Sequence, residues 1–449
     1  MTIGIGLLGL GTVGAGVASI LASPEGRHPL VAALRLQRVA VRDLTRSRPL
    51  APPAELLTTD PEAVVDDPAV DIVVEVMGGL EPARTLILRA IAAGKPVVTA
   101  NKAVIARHGE EIAAAAAAQG VYVLIEAAVG GGIPIIEPLK QSLGSNRIQR
   151  VSGIINGTTN YILSRMAAEG AAYADVLADA QRLGYAEADP AADVQGGDAA
   201  DKIAILTRLA YGGTVPRSAI PTEGIDQLEA RDVAYADRLG FVVKLLAVAQ
   251  LMEADGSDAS SDHPLLDVRV HPTLVPSTHP LAGVNGVNNA ILVEGDPVGQ
   301  VMFYGPGAGA GPTASAVVAD ILNIAGIRQA TGGSGGGLDP LLAAGSWRTC
   351  ALVEGSLTTH RNYVRLRTRD EAGVIGKIGT CFGDAGVSIR SIVQFAAHDF
   401  AAQDKDGGNA DAEIVVVTHE VLEADFRRAL ARIEALPEVE SVAACLRTL

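Results

Sequence analysis

Asp198 and Lys202 stand four residues apart, a spacing that puts both on one face of a helix. Glu187 and Asp193 come just before them, in a stretch broken by Asp189-Pro190 and Gly196-Gly197. Those dipeptides are turn signals. A turn-rich segment thus delivers carboxylates to the mouth of a helix that carries a lysine, an arrangement suited to proton transfer on a polar substrate. The spacing equally describes a solvated acidic loop followed by an ordinary i,i+4 pair, and spacing alone does not choose between the two. A second lysine, Lys102, follows directly on the apolar run 97–99 and Ala100-Asn101.

The elements that must position these groups begin at residue 3. An apolar run over 3–10 leads into Gly9-Leu10-Gly11-Thr12-Val13-Gly14, and a helix-like segment follows over 15–21. Strand, glycine-rich turn and helix in that order form a dinucleotide fingerprint. Gly9 permits the tight turn, Gly11 lets the backbone approach a pyrophosphate, and Gly14 allows close helix packing. The helix N-terminus offers its free N–H groups to the phosphates. The second strand is expected over 36–41. The residue after it is Arg42, with Asp43, Arg46 and Arg48 close behind. Arginine there suits a 2′-phosphate, which favours NADP(H), while Asp43 keeps NAD(H) open.

Strand-like runs over 71–76, 97–99 and 121–125 alternate with helix-like runs over 81–93 and 112–119. That alternation predicts a doubly wound parallel sheet, whose ligands bind at the carboxyl ends of the strands. Lys102 lies just past one such end and is expected to face the cleft. Residues 126–134 are glycine-rich; they read as a plain turn, or as a loop of carbonyls able to hold a hard cation. The lysine-bearing helix continues over 203–211, and 235–252 is a long apolar-periodic stretch. Residues 254–262 read as a polar turn, and 268–272 and 290–294 as strands. A glycine-dense segment, 304–315, precedes a helix over 316–325 and suggests a second backbone cradle. Residues 331–337 are a Gly/Ser-rich linker. Beyond it, strands over 362–368, 387–395, 413–418 and 439–446 and helices to about 382 and over 422–436 follow the order βαββαβ, a ferredoxin-like unit.

Composition narrows the classes. The 449 residues carry 36 Lys and Arg against 51 Asp and Glu, a net charge of -15. A nucleic-acid binder needs a basic face, so no nucleic-acid partner is expected. Three sparse cysteines, Cys350, Cys381 and Cys445, make neither a disulfide framework nor a zinc site and suit a reducing cytoplasm. No leader with a basic n-region opens the chain, and no run long and apolar enough for a membrane span is expected.

Taken together, the motifs resemble homoserine dehydrogenase, in the long form with a C-terminal ACT regulatory domain. The resemblance rests on the Gly9–Gly14 turn, Ala100-Asn101-Lys102, Gly130-Gly131-Gly132-Ile133-Pro134, Asn156-Gly157-Thr158-Thr159-Asn160-Tyr161, and Gly184 to Pro190 with Asp193, Asp198 and Lys202. It implies an α/β protein in three parts: a Rossmann-type NAD(P)-binding domain (1–135), an α+β substrate and dimerisation domain (136–305), and an ACT domain (356–449). A return segment (306–330) and a linker (331–355) lie between the last two. It implies the reversible reduction of L-aspartate 4-semialdehyde to L-homoserine, in threonine and methionine biosynthesis. Lys202 then stabilises the alkoxide and protonates it, Lys102 is the second essential lysine near the cofactor, and Asp198 orients Lys202 or holds the substrate. Glu187 and Asp193 bind the substrate. Gly9, Gly11, Thr12, Val13, Gly14, Arg42, Lys102 and Gly309 contact the cofactor, NADP(H) rather than NAD(H). Glu126, Val129, Gly131 and Ile133 hold a structural sodium ion, mainly through carbonyls. Asp370 and Gly373 are the contacts for an effector, threonine, and the chain forms a homodimer or homotetramer in the cytoplasm.

Two other readings are weaker. A phosphorylating semialdehyde dehydrogenase needs a catalytic cysteine, and none precedes Cys350. A non-catalytic nucleotide sensor has no use for Lys102, Glu187, Asp198 and Lys202 together.

Overall fold

The computed structural model describes residues 2–46, 48, 52–252, 264–331, 338, 349–396 and 412–449. Two sheets organise it. The first contains β1 (Ile3–Leu8), β2 (Leu34–Ala40), β3 (Leu57–Thr58), β4 (Ile72–Glu75), β5 (Val97–Thr99) and β6 (Val123–Leu124). All are parallel, in the order β3-β2-β1-β4-β5-β6. This is the doubly wound order with its switch point between β1 and β4. Every residue of β1 and β4 is buried, because a parallel sheet is covered on both faces and its central strands must be apolar throughout.

The covering helices are α1 (Thr12–Ala22), α2 (Pro61–Asp66), α3 (Ala83–Ala92) and α4 (Lys102–Gln119). Expected over 112–119, α4 in fact starts at Lys102, since Asn101 caps it: Asn101 Oδ1 accepts from Val104 N at 3.3 Å. Later come α5 (Ile136–Lys140), α6 (Gly157–Glu169), α7 (Tyr173–Arg182), α8 (Ala191–Val194), α9 (Gly197–Tyr211), α10 (Ala230–Arg238) and α11 (Ala310–Ala330). Helix α11 returns to pack on α1. It corrects one expectation: by length and composition it is apolar enough to span a membrane. Half of that window is buried inside the protein, so the apolar side chains serve the core.

The second sheet is mixed. Its strands are β7 (Arg147–Ile154), β8 (Phe241–Leu251), β9 (Leu265–Pro276), β10 (Asn288–Asp296), β11 (Gly299–Pro306), β12 (Ala351–Leu352), β13 (Thr359–Thr368), β14 (Ile389–Ala396), β15 (Ala412–Thr418), β16 (Val421–Leu422) and β17 (Val439–Thr448). The main path runs β11-β10-β7-β8-β9-β17-β13-β15-β14, with β12 on β9 and β16 on β13. Strands β7 and β11 are absent from the sequence expectation. The apolar stretch 235–252 is not one element: α10 ends at Arg238, Gly240 turns the chain with φ +80°, and β8 follows. Helical and strand periods are hard to separate in so continuous an apolar run. The expected turn at 254–262 and most of the expected linker lie outside the described residues.

From β13 onward the order βαββαβ stands as read, with α12 (Val374–Asp384) and α13 (Glu423–Glu434) as its helices. This unit continues the second sheet through a parallel pairing of β17 with β9, Arg447 opposite Thr273. A buried guanidinium clasps the junction. Arg365, wholly buried, donates from Nε to Asp232 Oδ1 of α10 (2.7 Å) and from Nη1 to Glu413 Oε1 (2.9 Å). Glu413 also accepts from Arg231 and from the Tyr235 hydroxyl.

Candidate active site

The glycine-rich turn lies at the switch point. Gly9 has φ +106°, a backbone shape reserved for glycine, and a Cβ on Gly14 would sit 2.2 Å from the Gly9 carbonyl oxygen. Around a Cβ placed on Gly11 nothing lies within 4 Å, so that side of the turn is open to a ligand. Gly11 caps α1 without a side-chain bond, which leaves the N–H groups of Thr12 and Val13 available to an anion. Arg42 is exposed two residues past β2. The Asp43 carboxylate is turned inward on its own loop, accepting from Thr45 N (2.8 Å) and Thr45 Oγ1 (2.6 Å), and these bonds hold it below the usual carboxylate range. Gly309 has φ +124° and begins α11, and the adjoining Ala310 carbonyl presses on Gly16 of α1. The second glycine-rich segment therefore comes back to the helix that follows the glycine-rich turn.

A buried polar chain sets the start of α4. Thr99 Oγ1 donates to Glu75 Oε2 (2.6 Å) and accepts from Asn101 N (3.0 Å), while Asn101 Nδ2 donates to the Gly79 carbonyl (2.8 Å). Glu75, fully buried, was not anticipated from sequence; its only signal is an acid ending the apolar run Ile72-Val73-Val74.

Lys102 projects from the first helical position and meets Asp198 across the cleft, Nζ to Oδ1 at 2.6 Å. Lys202 Nζ donates to Asp198 Oδ2 (2.7 Å) and to the Ile155 carbonyl (2.7 Å). One carboxylate therefore sits between two ammonium groups. Burial pushes the Asp198 carboxyl up, but Lys202 and Lys102 outweigh it and hold the group well below its ordinary range. Asp198 lies in the first turn of α9, where the helix dipole also favours a negative charge. For Lys102, burial favours the neutral amine, yet Asp198 dominates and keeps the ammonium charged.

Asn156 completes the cluster and was missed as a site residue. Its Nδ2 donates to both Asp193 Oδ1 (2.8 Å) and Asp198 Oδ2 (2.9 Å), and its Oδ1 caps α6 by accepting from Thr159 N (2.9 Å). Burial, and then the nearby Asp198, push the Asp193 carboxyl up, against the Asn156 bond. Glu187 is exposed, and among the described residues its carboxylate makes no contact with this cluster. Its loop is tethered nearby, since Thr158 Oγ1 donates to the Tyr185 carbonyl (2.6 Å).

The loop after β6 is built around Glu126. Its carboxylate accepts from the N–H groups of Ile135 (2.6 Å), Ile136 (2.9 Å) and Glu137 (2.8 Å) at the start of α5. Its own N–H donates to Asp320 (2.8 Å). Val129, Gly131 and Ile133 are buried, and their carbonyls accept no hydrogen bond among the described residues. In the C-terminal unit, Gly373 starts α12 with φ +92°, and Asp370 accepts from Gln394 of β14 (2.9 Å). A separate cavity of about 1120 Å³ runs along α4 and α9, but neither Asp198 nor Lys202 lines it.

Comparison with known proteins bears on this geometry. Residues 9–126 match the family model described as homoserine dehydrogenase, NAD binding domain, and residues 134–322 match the one described as homoserine dehydrogenase. The chain is 57% identical to a homoserine dehydrogenase of Synechocystis sp. over 449 residues, covering 100% of both. It is 42% identical to that of Corynebacterium glutamicum, over 99% of this chain and 95% of the relative. A solved homoserine dehydrogenase from Thiobacillus denitrificans superposes with TM-score 0.87 at 42% identity, covering 100% of this chain and 98% of the other. A hyperthermophilic archaeal homoserine dehydrogenase, solved in complex with NADPH, superposes with TM-score 0.59 at 28% identity, over 73% of this chain and 98% of the other.

Proposed function

Because the chain belongs to the homoserine dehydrogenase family, and so is an NAD(P)-dependent oxidoreductase, we propose how its own residues carry out the reaction. The substrate pair is L-aspartate 4-semialdehyde and L-homoserine. When bound, the nicotinamide supplies the hydride to the aldehyde carbon. Lys202 stabilises the alkoxide that forms and gives it a proton, so that aldehyde, hydride and proton make the alcohol. Asp198 pairs with both lysines and aims them at the same point. Asp193 and Glu187 receive the substrate α-ammonium, and Lys102 serves both cofactor and substrate. The observation that carries this reading is the single carboxylate of Asp198 held between Lys102 and Lys202.

The cofactor turn is assigned to Gly9, Gly11, Thr12, Val13, Gly14 and Gly309, with Arg42 for a 2′-phosphate. NADP(H) is favoured because Asp43, the competing ribose acceptor, is engaged with Thr45. A sodium ion is assigned to the loop 126–133. The buried carbonyls of Val129, Gly131 and Ile133, which accept no hydrogen bond among the described residues, suit a hard cation, whereas the Glu126 carboxylate is already spent on α5. The domain divisions at 135, 305, 330 and 355, an ACT domain that binds threonine at Asp370 and Gly373, a homo-oligomer and a cytoplasmic location complete the reading. The three cysteines are free thiols, in keeping with a reducing compartment.

The test is NADPH oxidation with aspartate semialdehyde, with NADH in parallel, with and without threonine. Turnover that falls with threonine supports the enzyme and the effector. Turnover indifferent to threonine removes the effector alone, and no turnover with either nucleotide in folded protein removes the mechanism.

A further inference from the structure

Helix α4 covers the first sheet, which carries the nucleotide turn, and α9 packs on β7 and β8 of the second. Among the described residues two ion pairs cross from one helix to the other. One is the Lys102–Asp198 contact already placed in the site. In the other, Arg107 Nη1 donates to Asp201 Oδ2 at 3.1 Å. Arg107 follows Lys102 on α4, and Asp201 follows Asp198 on α9. At about 1.5 Å of rise per residue, the second pair stands roughly one turn further along each helix.

Asp201 is buried, and each of its oxygens has its own arginine. Oδ1 accepts from Arg217 Nε at 2.7 Å, and Arg217 Nη2 also donates to the carbonyl of Gly197, the first residue of α9 (3.2 Å). The carboxylate is thereby fixed to the substrate half of the cleft. The Arg107 guanidinium is fixed to the nucleotide half, because Nη1 also donates to the Ala103 carbonyl one turn back on α4 (3.2 Å). Bonds between two charged groups are the stronger class of hydrogen bond. With Asp201 out of solvent, the pair escapes much of the screening that makes fully exposed pairs weak.

The aim of Lys102 follows from where α4 stands. The Glu75–Thr99–Asn101 chain fixes the start of α4 against the first sheet, but no bond of that chain reaches α9. We propose that Asp201 is a positioning residue for the reaction: by holding Arg107 it sets how far α4 stands from α9, and so how far Lys102 stands from Asp198 and Lys202. The proposal rests on the reading of Lys102 and Lys202 as the groups that meet the substrate. A misplacement of about 1 Å between reacting groups lowers a rate about 10²-fold, so a contact that never touches the substrate governs turnover through geometry.

The test uses the full-length protein and pairs NADPH oxidation by aspartate semialdehyde with a fluorescence titration of NADPH and a thermal melt. The Arg107 side chain is 41% exposed, so Arg107→Gln removes the charge and spares the fold. Its kcat should fall about tenfold while NADPH affinity stays within about twofold. Arg107→Lys should recover most of that loss, since a single nitrogen makes the contact with Asp201. Asp201→Asn should lose at least as much as Arg107→Gln, and adding Arg107→Gln to it should cost nothing further. If Asp201→Asn does not fold, the two Arg107 variants decide alone. The proposal is overturned if Arg107→Gln turns over within about twofold of the parent, if the two losses multiply in the double variant, or if kcat and NADPH affinity fall together. Those results leave the reading of the site intact, whereas a folded parent without turnover overturns that reading and the proposal with it.

Discussion

Replacing Lys202 with methionine deletes the ammonium and keeps a side chain of similar length. An ammonium has three N–H donors, and in the structure two are committed, to Ile155 O and Asp198 Oδ2. The third is the one free to meet a substrate oxygen. Loss of a general acid typically lowers the rate 10²- to 10⁴-fold, or about 3–5 kcal/mol of barrier. The cofactor turn is untouched, so NADPH affinity should stay within about twofold. Stability should also suffer little. Asp198 retains Lys102 at 2.6 Å and Asn156 at 2.9 Å, so the loss stays well under the ~3–5 kcal/mol incurred when a buried charge loses its only partner. The assay pairs steady-state NADPH oxidation with a fluorescence titration of NADPH and a thermal melt. A folded variant that still binds NADPH and turns over within about tenfold of the parent would refute the assignment of Lys202 as proton donor. Equal losses of turnover and NADPH affinity would instead make it a structural residue.

Asp198→Asn tests the electrostatics through pH. A carboxyl held low in the folded state stabilises the fold above its unfolded value of about 3.9, and that contribution fades as the pH falls below it. Thermal midpoints should therefore fall more steeply below about pH 4 in the parent than in the variant; parallel curves would contradict the ion-pair reading. Asn156→Ala removes the donor shared by Asp193 and Asp198, so kcat should drop roughly tenfold and the acid limb of kcat/KM should move to higher pH, because the anionic forms lose a bond. An unchanged pH profile would reduce Asn156 to a helix cap. Gly14→Ala forces a Cβ to within 2.2 Å of the Gly9 oxygen and should lower both the melting point and NADPH affinity. Gly11→Ala meets no protein atom, so only NADPH affinity should fall, and equal melting losses in the two variants would show that Gly11 does not leave room for the cofactor.

Much of the architecture was legible from local pattern. The glycine spacing at 9, 11 and 14, the Arg42 position, the alternation that makes a parallel sheet, and the βαββαβ order at the C-terminus all stand in the structure. These features depend on steric and periodic preferences acting over a few residues, which sequence carries directly. The boundary between α10 and β8 was not legible, because an apolar run central to a sheet satisfies either period until its neighbours are known. Strand β9 was legible in part, over 268–272, but its polar face makes sense only once β17 and α13 lie against it.

The site divides in the same way. The i,i+4 pairing of Asp198 with Lys202 is a property of one helix and could be written down from spacing. The meeting of Lys102 with that carboxylate, the bridge made by Asn156, and the Glu75–Thr99–Asn101 chain that aims Lys102 join segments far apart in sequence. Only tertiary packing brought them together, because distant charges share a site when the cores beneath them fix the distance. Here the packing of α9 against α4 and β7 sets that distance.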